Sequence, residues 1–400
     1  MTDKGLSTVG LEQMADRTWD VLVVGAGVAG GLSAHLLAQG GRSVLLVDKV
    51  VFPRWKVCGC CLNGAALSAL ERSGLGHLVD ELGGVRLHGL EWSRGGVRAR
   101  VRLPGGAALS RYALDVGLIR SAVACGAQFA EGVAARLVDG LGQGHATHRE
   151  VLLNGRGAVA TVRARAVLAC DGLSGRTLAG EDGQTALQIE EHSYLGVGVN
   201  VPSGQAGGYA PGLIYMASGP AGYVGAVRLE DGSLDVAGAF SPAAIRTAGG
   251  PAALAGATLA SAGFPPIAWG DLTWKGTPLL TRSRRLCGAW RVLAVGDAAG
   301  YVEPFTGEGM GWAMSAAREA ARVVDEALEQ GWSEQTGAEW TQRCRRLLRG
   351  RQFRCRTVAR VLRSAVLTRM SLYTVRWLPL LVVPLVRSFN RPLELSGGRP

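Results

Sequence analysis

A glycine-rich turn at the end of an apolar run constrains the fold of this chain more than any other stretch. The run leads directly into Gly25, Gly27 and Gly30, in the spacing Gly-x-Gly-x-x-Gly. Gly25 permits a tight turn, Gly27 lets the backbone approach a pyrophosphate, and Gly30 lets the following helix pack closely on the strand. A second apolar run ends in Asp48, which is placed to accept hydrogen bonds from a ribose diol. The sequence therefore predicts a β-α-β unit with a dinucleotide pyrophosphate at the helix N-terminus.

A second strand-to-turn signal lies far along the chain. The apolar residues 292–295 lead into Gly296 and Asp297, and a turn rich in Gly and Pro then leads to a helix start at Gly309 and Met310. Backbone N–H groups at a helix N-terminus are free and carry partial positive charge. A cofactor with a polyhydroxy arm, and a ring that becomes anionic on reduction, suits such a site. Flavin adenine dinucleotide (FAD) has both, so the two signals predict one FAD site.

Strand-rich segments lie between these signals. A third turn with an acid at its end, Asp171-Gly172, follows the apolar residues 166–169, and residues 193–240 alternate like an antiparallel sheet that forms one wall of a pocket. These patterns predict an α/β fold in which a Rossmann-like FAD-binding domain carries an inserted antiparallel-sheet substrate domain and a helical C-terminal segment. The predicted bounds are 19–84, 110–180 and 285–330 for the FAD-binding domain, 85–109 and 181–284 for the substrate domain, and 331–400 for the C-terminal segment.

Amino-acid composition gives expectations about core size, cellular location, cysteine state and metal binding. A chain of 400 residues with 48% hydrophobic content can bury a sizeable core. The first 18 residues are polar and mixed in charge, which predicts a cytoplasmic protein without an export signal, and hence free thiols for the eight cysteines. The cluster Cys58-Gly59-Cys60-Cys61 lacks the spacing of a zinc site, so no metal is expected.

The net charge of +11 is concentrated at one end. Residues 340–400 contain 14 Arg and one acidic residue, a balance of +13. One interpretation of residues 340–391 is a basic amphipathic segment that lies on the inner face of an anionic membrane, because the apolar stretch 377–386 is too short to span it. The alternative is a helix packed on the body, with Arg stems covering apolar surface. Nucleic acid is not expected as a partner, because no recognised binding module is present.

In these motifs the chain resembles the FAD-dependent oxidoreductases of the p-hydroxybenzoate hydroxylase fold, and within them the geranylgeranyl reductase-like and aromatic-ring monooxygenase-like members. The resemblance rests on the Gly25–Asp48 unit, the Asp171-Gly172 turn with Arg176, and Gly296-Asp297 followed by Pro304 and Gly307-Glu308-Gly309-Met310. A further stretch, Phe52-Pro53-Arg54-x-Lys56-x-Cys58-Gly59, is similar to a loop that reductase-like and halogenase-like members carry near the flavin.

The resemblance implies a role for particular residues. Asp48 would hold the adenosine ribose, Asp297 the ribityl chain, and the main chain at Gly309 and Met310 would face the pyrimidine edge of the flavin. The full set of predicted cofactor-binding residues is Gly25, Gly27, Gly30, Asp48, Arg111, Asp171, Gly296, Asp297, Gly307, Gly309 and Met310. The candidate catalytic residues are Arg54, Lys56 and Cys58, with solvated loop charges and an inert packed thiol as the alternatives.

The predicted activity is that of an FAD-dependent oxidoreductase on a lipophilic small molecule, with NAD(P)H as the reductant. Two reactions share the scaffold: hydroxylation of an aromatic or polyketide-like lipid, which the sequence favours slightly, and reduction of a prenyl C=C bond. The widely spaced aromatic residues of the predicted substrate sheet are Tyr209, Tyr215, Tyr223 and Phe240. A hypothesis from another class is a basic flavin-containing binding protein that docks an acidic partner or nucleic acid.

Overall fold

The computed structural model describes residues 5–138, 146–155, 157–179, 183–303 and 305–393, so Pro304 of the third motif lies outside the described residues. In chain order the strands are β1 (Thr18–Val24), β2 (Val44–Asp48), β3 (Cys61–Leu62), β4 (Val85–Arg86), β5 (Gly89–Arg94), β6 (Val97–Arg102), β7 (Ala107–Ala108), β8 (Gln128–Glu131), β9 (Val133–Leu137), β10 (Arg149–Gly155), β11 (Ala158–Ala169), β12 (Leu187–Ile189), β13 (Leu195–Val201), β14 (Leu213–Gly219), β15 (Gly222–Arg228), β16 (Leu234–Phe240), β17 (Lys275–Leu279), β18 (Arg282–Arg284), β19 (Gly288–Ala289) and β20 (Val292–Ala294).

The helices alternate with these strands in the first third of the chain and dominate its last quarter. In chain order they are α1 (Leu11–Ala15), α2 (Val28–Gln39), α3 (Gly64–Glu71), α4 (Leu78–Glu81), α5 (Arg111–Ala124), α6 (Pro242–Thr247), α7 (Pro251–Ser261), α8 (Gly309–Gln330), α9 (Thr336–Arg363), α10 (Ala365–Trp377) and α11 (Pro379–Asn390).

The largest sheet carries the predicted β-α-β unit. Its order is β19-β20-β11-β1-β2-β8, with β9 and β10 continuing from β11, and β1 runs parallel to both β2 and β11. Val21 and Val23 of β1 pack toward α2, whereas Leu22 and Val24 pack into the core on the opposite face. A parallel strand buried on both faces requires an uninterrupted apolar run, which explains why β1 does not alternate. The predicted α/β class is confirmed.

A second sheet of seven strands stands beside the first, in the order β17-β13-β16-β15-β14-β5-β6. Its strands pair antiparallel except for β14 with β5, which are parallel. Alternate residues such as Val224, Val236 and Phe240 pack with α7 on one face, and the intervening residues face the first sheet. The space between the two sheets is where the functional site lies.

The Arg-rich segment divides into two parts. Along α9, Trp340, Leu347 and Leu348 are buried against the body, where the helix packs on α8, β19 and β20. The interpretation as a helix packed on the body therefore holds for α9. By contrast, α10 and α11 expose Trp377 at 70% and Leu380 at 82% of their surface. In the described part of the chain no single helix is long and apolar enough to cross a membrane; α10 and α11 meet those criteria only as a pair, bent by 105°.

Candidate functional site

The first glycine turn leaves no room for side chains. Gly25 has φ +103°, and a Cβ there would lie 2.4 Å from the carbonyl oxygen of Cys170 on the neighbouring strand. A Cβ on Gly30 would lie 1.8 Å from the carbonyl oxygen of Gly25, because the first turn of α2 rests directly on the turn before it. Gly27, Val28 and Ala29 at the start of α2 line the space between the sheets, where the free N–H groups of a helix start suit a bound pyrophosphate.

Two guanidinium groups converge on this helix start. A Cβ on Gly27 would lie 3.1 Å from Nη2 of Arg111 and 3.6 Å from Nη2 of Arg54. Arg111 is fixed from behind by Asp115, which accepts two hydrogen bonds of 2.8 Å from its Nε and Nη2. A hollow lined by a helix N-terminus and two arginines fits a doubly charged pyrophosphate. The residues present therefore fit FAD at this point.

Asp48 braces the same turn. Its Oδ2 accepts a hydrogen bond of 2.8 Å from the N–H of Ala26, and its Oδ1 accepts one of 3.0 Å from the N–H of Val50. Each carboxylate oxygen keeps a lone pair for a further donor, such as a ribose hydroxyl. Asp48 does not line the cavity between the sheets, so the predicted ribose contact would lie outside that cavity.

The two later acids occupy different positions. Asp171 accepts a hydrogen bond of 3.0 Å from the N–H of Thr177, so it orders its own turn, while its buried Oδ1 has no partner among the described residues. Asp297 lines the cavity in a single 3-10 turn that follows Gly296, whose φ is +67°. The structure therefore brings Asp297 to the cavity and leaves Asp171 behind its wall.

The cavity has a volume of 260 Å³ and lies between the glycine turns and the second sheet. From the predicted set it brings together Gly27, Lys56, Cys58, Arg111, Asp297, Gly307, Gly309 and Met310. Gly25, Gly30, Asp48, Arg54, Asp171 and Gly296 are not part of its lining. These residues lie behind the residues that line the cavity. Gly25 and Gly30, for example, allow the close backbone contacts that hold the first turn of α2 in place.

The loop between β2 and β3 carries the candidate catalytic residues. A hydrogen bond from the Cys60 thiol, aided by the charge of Arg111 and the N–H of Cys60, lowers the pKa of Cys58 to about 6 in spite of burial. Burial, and next the charge of Arg111, lower the pKa of the Lys56 ammonium. Burial raises the pKa of the neighbouring Cys61 thiol well above its usual value. Cys58 is thus the thiol of this cluster that ionises near neutral pH.

The opposite wall is the inward face of the second sheet. Met216, Gly225 and Ala237 present small or apolar groups there, and the two ionisable side chains from β14, β15 and β16 that line the cavity are Tyr223 and Asp235. Neither the Tyr223 hydroxyl nor either oxygen of Asp235 has a hydrogen-bond partner among the described residues. Burial is the main cause that raises the pKa of both groups well above their ordinary values, which favours the protonated form of each.

Sequence reasoning missed the functional potential of Asp235. It follows the turn Glu230-Asp231-Gly232, where an acid is ordinarily a turn residue. Side chains alternate between the two faces of a strand, so Asp235 shares a face with Ala237 and Ala239. This alternation was the sequence signal that could have placed Asp235 on the inward face.

Sequence reasoning also missed a buried ion pair behind the start of α8. Arg351 of α9 donates a hydrogen bond of 2.6 Å to Oε1 of Glu308 and one of 2.7 Å to the carbonyl oxygen of Phe389. Glu308 immediately precedes Gly309 and Met310, whose main chain lines the cavity. One arginine of the C-terminal segment therefore holds both the start of α8 and the end of α11 in place.

Comparison with known proteins agrees with this geometry. Residues 18–212 match the FAD binding domain family. The chain is 39% identical to a menaquinone reductase of Mycobacterium tuberculosis over 127 residues, which is 30% of each chain. It is 27% identical over 332 residues, 78% of each chain, to digeranylgeranylglycerophospholipid reductase 2 of Methanopyrus kandleri. Among solved structures, p-nitrophenol 4-monooxygenase of Pseudomonas putida superposes with a TM-score of 0.74 at 17% identity, covering 93% of this chain and 98% of that one.

The fold and the glycine turn define an FAD-binding protein with a Rossmann-like sheet and a second, mostly antiparallel sheet. Residues 18–212 carry an FAD binding domain, and the chain shares its overall fold with flavin-dependent enzymes such as p-nitrophenol 4-monooxygenase. The match to the menaquinone reductases spans less than a third of their length, so it does not by itself extend their activity to this chain.

Proposed function

We propose that this protein is an FAD-dependent reductase that saturates a C=C bond in a prenylated lipid. The observation that carries the proposal is the contrast between the charged cofactor side of the cavity and the apolar inward face of the second sheet, with Met216, Gly225 and Ala237. An apolar face suits a hydrocarbon chain. The similarity to a digeranylgeranylglycerophospholipid reductase over 78% of both chains supports the same substrate class.

Reduction of a C=C bond needs a hydride and a proton. Bound FAD supplies hydride chemistry, and NAD(P)H is the proposed external reductant. The protein's part is to bind the lipid, exclude water and keep protons in the cavity. Tyr223 and Asp235 fit that part, because burial raises the pKa of each and so favours its protonated form.

Hydroxylation of an aromatic lipid is the second candidate, and Cys58 is the observation that favours it. Removing a proton from a phenol makes its ring more electron-rich, and the pKa of about 6 gives Cys58 a thiolate that could accept such a proton at pH 7. The likeness to p-nitrophenol 4-monooxygenase is one of fold, at 17% identity. It is compatible with either reaction.

Product analysis separates the two reactions. The purified protein would first be checked for the absorbance of bound FAD, then given NADPH with menaquinone or a geranylgeranylated glycerolipid, with and without O₂. The expected result, in the absence of O₂, is a product heavier by two hydrogens that keeps this mass after the quinone ring has been re-oxidised in air. A product heavier by one oxygen, formed only with O₂, would replace reduction by hydroxylation, and NADPH consumption without any product from either lipid would contradict both.

A membrane-surface location on the cytoplasmic side accompanies this proposal. Large apolar side chains are exposed together on α10 and α11, here called the α10–α11 patch: Val366, Leu367, Met370, Tyr373, Trp377, Leu378, Leu380, Leu381 and Leu385. Exposed arginines lie among them at Arg369, Arg376 and Arg387. Apolar residues interspersed with basic ones are the composition of helices that rest on anionic bilayers. Because α10 also packs on β5 and β6, the patch borders the substrate sheet.

Vesicle binding tests that location. The double variant Leu380→Ser/Leu381→Ser should lose most of its binding to vesicles containing phosphatidylglycerol, since it removes two of the most exposed apolar side chains of the patch. The matched control is Val51→Ser/Val159→Ser, which changes two side chains that are each 60% exposed elsewhere. Equal binding by the two double variants would rule out the patch as the membrane contact.

A further inference from the structure

Asp235 has an unusual position for an acid. On β16 the residues Leu234, Val236 and Phe240 pack into the core against α7, whereas Asp235 falls on the inward face with Ala237 and Ala239. Its residue surface is only 1% exposed, and both carboxyl oxygens are buried without a hydrogen-bond partner among the described residues. A buried polar group left unpartnered costs free energy, which a ligand carrying the complementary atom would offset.

The surroundings of Asp235 favour its neutral form. Burial raises its pKa first, and the negative charge of Cys58 and that of Glu230 add to the effect. Glu230 is already engaged, because it accepts a hydrogen bond of 2.9 Å from the N–H of Ser110. The Cys60 thiol and the Trp55 indole face the carboxyl group and oppose this rise in its pKa, but neither reaches hydrogen-bond geometry. In this neutral form Asp235 offers the cavity one O–H donor and acceptor oxygens, and no charge.

Tyr223 marks the other end of the same wall. It pairs with Ala239, four residues along β16 from Asp235, so about 13 Å separate the two positions at a rise of roughly 3.3 Å per residue. Tyr223 belongs to the cluster that contains Leu372 and Val375 of α10. The Asp235 end is thus the one remote from α10, and the wall between the two ends is apolar.

We propose that Asp235 is the anchoring residue for the head of the lipid substrate, where its carboxylic acid donates a hydrogen bond to a carbonyl oxygen. The proposal rests on the proposed function and adds the chemical class of the head: a neutral group with a carbonyl oxygen, such as a quinone. The prenyl chain then runs along the apolar wall toward Tyr223 and α10. A cationic head would instead require the ionised carboxylate, which this burial disfavours.

Two probes of the same shape test the anchor. Menadione carries two ring carbonyl oxygens, and 2-methylnaphthalene is the matching hydrocarbon without them. Their binding to the FAD-loaded protein would be measured by calorimetry for the wild type, Asp235→Asn and Asp235→Leu. We expect the wild type to bind menadione about tenfold more tightly than the hydrocarbon, which is the worth of roughly one hydrogen bond. Asp235→Leu should abolish that preference, and Asp235→Asn should keep most of it, because an amide also donates.

Two results would overturn the anchor: an unchanged preference in Asp235→Leu, or a loss in Asp235→Asn as complete as in Asp235→Leu. Infrared difference spectra give a readout without turnover, and they need only the wild type and Asp235→Asn if Asp235→Leu does not fold. The carbonyl stretch of a protonated carboxylic acid should be present in the wild type, shift when menadione binds, and vanish in Asp235→Asn. Absence of that band in the wild type at pH 7 would also overturn the proposal.

These outcomes are separable from the test of the proposed function. A protein that prefers menadione through Asp235, yet reduces neither menaquinone nor the glycerolipid, would refute the reductase assignment and keep the anchor. A protein that reduces a prenyl chain but shows no dependence on Asp235 in the probe assay would keep the reductase and refute the anchor.

Discussion

The two walls of the cavity are built by opposite means. The cofactor wall includes the glycine turns at Gly27 and Gly309, which rest on close backbone contacts behind them at Gly25 and Gly30, and Arg111 in this wall is paired with Asp115. The sheet wall consists of strands whose side chains form the surface, and its two buried ionisable groups, Tyr223 and Asp235, have no partners among the described residues. The first wall takes its shape from close backbone contacts. The second presents buried polar side chains that a ligand could pair with.

The largest expected effect comes from adding a side-chain atom at Gly30, where α2 rests on the first glycine turn behind the cofactor wall. Gly30→Ala would place a Cβ 1.8 Å from the carbonyl oxygen of Gly25, a backbone atom that cannot rotate away. We expect loss of FAD and a fall in the free energy of unfolding of more than about 4 kcal/mol, since α2 would have to move off the turn. The ratio of flavin to protein absorbance and a urea titration measure the two effects.

Substitutions at two other glycines serve as comparisons for Gly30→Ala. Gly27→Ala would meet only the ends of the Arg111 and Arg54 side chains, so it should weaken FAD binding while leaving the fold intact. Gly350→Ala, in α9, would meet nothing within 4 Å and should leave FAD content unchanged. If Gly30→Ala kept its FAD, the cofactor wall would not depend on backbone contact in the way described.

A large effect is also expected behind the cofactor wall. Arg351→Met would leave the buried carboxylate of Glu308 without its cation and free the end of α11. Removing one partner of a buried pair costs about 3–5 kcal/mol, which a urea titration would detect. Arg349→Ala, an exposed arginine on the same helix, is the control and should change stability by less than about 0.5 kcal/mol. Equal effects from both substitutions would show that Arg351 does not brace the start of α8.

The two walls also differ in how far the sequence predicts them. The turn at Gly25, Gly27 and Gly30 is contiguous, and each glycine has a separate geometric reason, so the β-α-β unit and the α/β class could be predicted. Asp235 has no such motif, because its role arises from which face of β16 turns inward. The pair of Glu308 with Arg351 joins residues 43 apart in the chain, and no local pattern links them. The roles of individual cofactor-binding residues and the domain bounds stay predictions.

The C-terminal segment is a second case in which the sequence does not determine the tertiary contacts. Its charge count predicted a basic surface, but charge does not determine whether a helix packs on the body or on a membrane. Along α9 the apolar positions, among them Leu347 and Leu348, are buried against the body. On α10 and α11 the apolar residues remain exposed. Only the tertiary structure separates the two parts, because both carry Arg among apolar residues.

A pH profile tests the loop between the walls. Since only the thiolate reacts, alkylation of Cys58 by iodoacetamide should increase through about pH 6 and level off above it, whereas Cys61, whose pKa is raised by burial, should react slowly throughout. Cys60→Ala removes the hydrogen bond that lowers the Cys58 pKa most. It should therefore move the midpoint up toward the ordinary thiol value near 8.5. Mass spectrometry of the labelled peptide gives the rates, and an unchanged midpoint would contradict the assigned cause.

The smallest expected effect distinguishes an unpartnered hydroxyl from a partnered one. Tyr209 donates a hydrogen bond of 2.8 Å to the carbonyl oxygen of Pro265, so Tyr209→Phe should lower the free energy of unfolding by about 1 kcal/mol. The hydroxyl of Tyr223 is buried without a partner, so Tyr223→Phe removes an unmet polar group and should leave stability unchanged or slightly raised. Urea titrations of the two variants, matched in chemistry, compare the two positions directly. A loss in Tyr223→Phe as large as in Tyr209→Phe would mean that the hydroxyl has a partner in the ligand-free protein. The sheet wall would then be closed at that end, and the proposed path of the prenyl chain toward α10 would have to pass elsewhere.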